Sequence, residues 1–192
     1  MSDAAGWHAW LAAHHGDVEG VRLVLARKGT VEPTSLVHAD ALDEAICFGW
    51  IDGQLGRRDE RTYYQRFTPR RNRSPWSKIN VAAAERLTGE GRMQPSGLAE
   101  VERARADGRW DAAYAGSKSI EVPAELQAAL DAAPAAAEMF AKLSMQNRYA
   151  ILYRLTTVKR ATTRARKIEQ YVAMLARGET IYPQNTPNTT SQ

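Results

Sequence analysis

The stretch from Trp50 to Pro69, Trp-Ile-Asp-Gly-Gln-Leu-Gly-Arg-Arg-Asp-Glu-Arg-Thr-Tyr-Tyr-Gln-Arg-Phe-Thr-Pro, decides how the rest of the chain is read. Trp50 to Gly56 has strand character, weakened by Gly53 and Gly56. A glycine inside a strand marks a bulge or a close backbone approach. Asp59-Glu60 reads as a turn. From Thr62 to Thr68 the side chains alternate, with Tyr63, Gln65 and Phe67 on one face and Tyr64, Arg66 and Thr68 on the other. Two strands this close in sequence favour an antiparallel hairpin.

Working outward toward the N-terminus, Val21, Leu23 and Leu25 predict a further strand ending at Lys28-Gly29. Trp7, Trp10, Leu11 and His14 recur at helical spacing, and Gly16-Asp17 stop that helix. Another helix spans about Leu36 to Phe48, with Leu42, Ala45 and Ile46 along one stripe and Gly49 as its stop. Beyond Pro75 there is almost no strand signal. Ser77, Ser96 and Ser144 are placed to cap helices, and Pro123 and Pro134 to open them. The last helix carries Ala161, Ala165, Ile168, Val172 and Leu175 as its apolar stripe, with Thr162 or Thr163 as its cap. The fold class is therefore α+β: a small antiparallel sheet near the N-terminus with a predominantly helical remainder. One domain over residues 1–182 is expected, with the sheet in about 1–70, helices in about 75–178, and a polar, disordered tail over 183–192.

The chain has 192 residues, 44% of them hydrophobic and 25% charged, the proportions of an ordinary globular protein. Its mean hydropathy is −0.48. No apolar run approaches the ~20 residues of a membrane span, and the start lacks a basic and apolar leader, so a cytoplasmic protein is expected. A single cysteine, Cys47, excludes an intramolecular disulfide. It sits in an apolar helix and reads as a core residue. No phosphate-binding loop, nucleophile elbow or dinucleotide fingerprint is present. His8, His14, His15 and His38 lack metal-ligand spacing, so neither metal nor cofactor is expected.

The net charge of +4 hides a strong asymmetry. Residues 57–78 hold eight Lys or Arg against Asp59 and Glu60, and residues 154–167 hold six with no acid. Each segment is +6, and the remainder is −8. Basic segments on an acidic body point to an anionic partner, either a small phosphate-bearing molecule or nucleic acid.

In the first segment a strand ends, three arginines follow, and a helix begins at Ser77. Free N–H groups at a helix start attract anions, and guanidinium forks suit phosphate. Arg70, Arg71, Arg73, Trp76, Ser77, Lys78 and Asn80 are the candidate ligand-binding residues there. The competing reading makes Ser77 a plain N-cap and pairs the arginines with acids such as Asp52. In the second segment Lys159, Arg160 and Arg164 form a candidate basic ridge, which joins the first segment if the two converge. Nucleic-acid binding through both segments and Tyr63 and Tyr64 is an alternative. A third possibility is an enzyme with Asp52 as acid or base, set against Asp52 as a strand-end residue bonded to an arginine.

The runs Cys47-Phe-Gly-Trp-Ile-Asp-Gly53 and Phe67-Thr-Pro-Arg-Arg, with Ser74, Trp76-Ser77-Lys78 and Asn80, resemble the bacterial YdeI/OmpD-associated (bacteriocin-protection) family. Gly91-Arg-Met93, Gly97, Asp107-Gly-Arg-Trp110, Val122-Pro123, Lys159-Arg160, Thr163-Arg164 and Arg166 add to the likeness, which runs over about residues 7–178. The chain departs from the family at Ala161-Thr162, where Pro-Glu is usual. The family is named for protection against bacteriocins or cationic peptides and for association with an outer-membrane porin; the resemblance implies a stress or bacteriocin-protection role and kinship with small α+β proteins of the YjbR/CyaY type, some suspected of binding DNA. It carries over no catalytic residue.

Overall fold

The structure, a computed structural model, describes residues 1–16, 19–117 and 119–184. Asp17 and the end of the polar tail therefore lie outside the described residues. The chain divides into two compact units, 1–113 and 114–192. Together they bear out the α+β reading, with a three-stranded antiparallel sheet near the N-terminus and eight helices among the described residues.

In the N-terminal unit, α1 (Ala4–His14) is capped by Asp3, whose carboxylate accepts the Gly6 N–H at 2.8 Å. It precedes β1 (Val21–Ala26), α2 (His38–Cys47), β2 (Trp50–Arg57) and β3 (Thr62–Pro69). The sheet order is β1-β3-β2. β2 and β3 form the expected hairpin, and the register shifts between Asp52 and Leu55. That irregularity sits at Gly53, where the strand glycine predicted it.

One sheet face turns inward. Leu23, Leu25, Gln65 and Phe67 are buried there, and Gln65 donates from its amide to the Gly53 carbonyl at 2.7 Å. Trp7, Trp50 and Phe67 pack together with Trp10. The two fully buried indoles are satisfied by donating to the Ala41 and His15 carbonyls, both at 3.0 Å.

α3 (Lys78–Gly89) and α4 (Pro95–Ala106) complete this unit. The end of α2 and the start of α4 meet at backbone distance. A Cβ on Gly97 would lie 2.1 Å from the Cys47 carbonyl oxygen, and Gly49 adopts φ +77° against Ser96. Only glycine fits either place. Cys47 is buried as expected. Burial first, and then the Glu44 carboxylate, push its thiol up to about 11. α4 is capped at Gln94 and opens with Pro95, not at Ser96, which lies inside the helix. Proline takes the first turn because its missing N–H is an orphan there anyway.

The C-terminal unit contains α5 (Ala124–Asp131), α6 (Pro134–Ala141), α7 (Met145–Thr156) and α8 (Ala161–Ala176). Leu126, Leu130, Phe140, Ile151, Leu152, Leu155, Ile168 and Leu175 form its core. Ser144 caps α7 as expected, its hydroxyl accepting the Asn147 N–H at 3.3 Å. Asn147, almost wholly buried, donates to the Tyr182 carbonyl and accepts the Tyr182 N–H, tying residues 180–184 to α7. The cap of α8 falls on Arg160, with no side-chain hydrogen bond, rather than on Thr162 or Thr163. Ala161 and Ala165 are exposed, and the inward stripe begins instead at Arg164 and Ile168. Alanine suits either environment, so its spacing does not fix which face of the helix is buried. Among the described residues no helix is long and apolar enough to cross a membrane.

Candidate functional site: the β3–α3 corner and its exposed cations

The chain leaves β3 at Pro69, and the Arg70 N–H donates to the Gly49 carbonyl at 3.0 Å. The Arg70 side chain then turns inward. It is only 6% exposed. Its guanidinium carbon lies 3.6 Å from the centre of the Trp76 ring, and Nη1 donates to the Pro75 carbonyl at 3.2 Å. Trp76 packs on Trp110 at 4.9 Å, and the Arg105 guanidinium lies 5.0 Å from the Trp110 ring. The result is a run of guanidinium, indole, indole and guanidinium. Planar, weakly hydrated guanidinium stacks on indole in a way an ammonium group cannot match.

The turn over this stack is pinned by polar contacts. The Arg71 N–H donates to the Ser74 hydroxyl, and the Ser74 N–H donates back to the Arg71 carbonyl, both at 2.9 Å. Arg109 donates to the Ser74 carbonyl at 2.8 Å while Asp107 holds its other edge at 2.8 Å. Ser77 is the N-cap of α3, its hydroxyl accepting the Asn80 N–H at 3.1 Å. This is the capping role weighed against ligand binding in the sequence.

The seven candidates thus separate into two sets. Arg70, Trp76, Ser77 and Asn80 are buried. Arg71, Arg73 and Lys78 are exposed, and among the described residues none forms an ion pair. The buried set shapes the corner, and the exposed set gives it its positive charge.

In the second segment Lys159 and Arg160 are exposed, whereas Arg164 turns inward. Arg164 donates to the Val158 carbonyl at 3.0 Å and reaches Glu125 at 3.5 Å. The first segment belongs to the N-terminal unit and the second to the C-terminal unit.

Asp52 lies on β2 opposite Phe67. Its carboxylate pairs with His38 Nε2 at 3.1 Å, both side chains about one-third exposed. Its partner is therefore a histidine at the start of α2, not the arginine suggested by the sequence. A charge network missed from sequence joins α1, α2 and α3. Glu44 contacts His8 and Arg92, each at 2.7 Å, and Asp43 contacts Arg86 at 2.6 Å. Its members are scattered over more than 80 positions, so no local motif announces it. The C-terminal unit also has a cleft of about 440 Å³ lined by Ser117, Met145, Gln146 and Tyr149. Burial, followed by Tyr114 and Tyr153, raises the Tyr149 hydroxyl above its ordinary range.

Comparison with known proteins separates the two units. Residues 1–100 match the family model described as a domain of unknown function (DUF8412), and the chain belongs to that family. Residues 119–178 match the model described as bacteriocin-protection, YdeI or OmpD-associated. The resemblance read from the sequence is thus found in the C-terminal unit, where Val122-Pro123 and the Lys159–Arg166 signals lie. Its extent is narrower than read: the runs over 47–53 and 67–80 fall within the other match. No curated protein and no solved structure matches the chain.

Proposed function

We propose that this is a bacteriocin-protection-type protein of the cytoplasm whose N-terminal unit binds a phosphate-bearing anion at the β3–α3 corner. Arg71, Arg73 and Lys78 supply the charge, and the start of α3 supplies oriented N–H groups. The observation that carries the reading is the contrast at this corner. Arg70 and Trp76 are buried in a stack, while three neighbouring cations stand in solvent with no carboxylate partner among the described residues. A helix start alone attracts an anion by about 0.3–1 kcal/mol. Charge-assisted hydrogen bonds to guanidinium are about twice as strong as neutral ones, so the arginines set the affinity. The stack and the Arg71–Ser74 clasp hold the backbone from which they project, lowering the ordering cost of binding.

Calorimetric titration of pyrophosphate and nucleoside triphosphates tests this. Binding to the wild type that is lost in Arg71→Glu/Arg73→Glu, with an unchanged melting temperature, supports it. No binding to either protein overturns it. Arg70→Glu is the wrong probe, because it places a carboxylate against a buried indole.

A further inference from the structure

The outward face of the sheet carries a second cationic surface. Register places Arg22 directly opposite Arg66 across β1 and β3, and Val24 opposite Tyr64. On the other side of β3, Tyr64 faces Gly56 of β2. Arg22 and Arg66 are exposed, and among the described residues neither has an ion-pair partner. Like charges set directly opposite in a sheet destabilise it. Arg58 joins them from the hairpin tip, where it pairs with Asp59 at 3.6 Å and donates to the Thr62 hydroxyl at 3.3 Å.

Tyr64 stands in the middle of these cations. The Arg22 and Arg58 guanidinium carbons lie 5.7 and 5.9 Å from its ring centre. Those distances are at the outer limit of a cation–π contact, about 6 Å, so both guanidinium groups lie over the ring only at long range. The inner face of the same strands is buried core, which fixes the direction in which Arg22, Tyr64 and Arg66 point.

We propose that this face binds single-stranded nucleic acid, with a base stacked on Tyr64 and its flanking phosphates held by Arg22, Arg58 and Arg66. Cations that track a backbone and an aromatic ring that accepts any base are the two ingredients of sequence-tolerant single-strand recognition. An acidic peptide would use the cations but has no general use for the ring. The face uses none of Arg71, Arg73 and Lys78, so the two proposals are tested by different variants.

The test is fluorescence anisotropy of a labelled oligo(dT) 12-mer with the full chain, over a salt series. Three neutralised phosphates predict a log–log slope of about −2, from about −0.7 for each phosphate on a single strand. Arg22→Glu/Arg66→Glu is expected to weaken binding at least tenfold and flatten the slope. Tyr64→Phe retains binding. Tyr64→Leu covers Gly56 without an aromatic face and loses about fivefold or more. Circular dichroism melts of each variant confirm that it is folded. Equal binding by Tyr64→Leu, or equally tight competition by linear polyphosphate, would show a mere charge patch and overturn the proposal. So would failure of the wild type to bind the oligonucleotide.

Discussion

Residues 57–78 and 154–167 carry the same net charge, yet the fold treats them differently. The first is spread over a hairpin, a clasped turn and a helix start, and it gives up Arg70 to a buried stack with Trp76. The second lies on the end of α7 and the start of α8, and it gives up Arg164, which closes the α7–α8 junction through the Val158 carbonyl. In both, one arginine acts as a structural plane or fork, and its neighbours remain solvent cations. The lesson is that a run of positive charge is a mixture of roles. Which arginine turns inward is decided by the aromatic ring or carbonyl within its reach.

The largest way to break this comparison is Arg70→Ala. It removes a guanidinium that is stacked and hydrogen-bonded in the core, and an expected loss of about 2–4 kcal/mol would show in urea unfolding. Arg71→Ala, one residue on, should stay within about 0.5 kcal/mol. Equal effects from the two would dissolve the distinction between buried and solvent cations.

Cys47 tests the same burial rule from the anionic side. Its folded value of about 11 lies above the ordinary 9.0 of a thiol. Between these values the unfolded chain has released the proton and the folded chain keeps it, so stability falls as pH rises through that window. Wild type should lose about 1–2 kcal/mol more than Cys47→Ala from pH 9 to pH 11. Parallel stability curves would argue against the buried thiol.

A smaller effect belongs to the second segment. Arg164→Ala is expected to cost about 1 kcal/mol through its lost carbonyl contact, while Lys159→Ala and Arg160→Ala cost less than half of that. The smallest runs the other way. Arg22→Thr relieves the repulsion with Arg66 and should stabilise the free protein by about 0.2–1 kcal/mol in low salt. The gain should fade as ionic strength rises.

The hairpin was legible because its signals are local: alternation in Thr62–Thr68 and glycines where the register shifts. The start of α3 was legible for the same reason, since a serine cap acts within three residues. The fate of Arg70 was not legible. It depends on Trp76 being braced by Trp110, 34 positions further along the chain. Nor was the His38 partner of Asp52, because only the packing of α2 against the sheet brings them together. The inward face of α8 was misread through Ala161 and Ala165, small residues that carry no preference strong enough to orient a helix.

The most direct test of the anion-binding corner is an amide NMR titration of the intact chain with pyrophosphate. Saturable shifts concentrated at Arg71 to Asn80, and abolished in Arg71→Glu/Arg73→Glu, are expected. Shifts centred instead on Lys159 to Lys167, or none at any concentration, would contradict it.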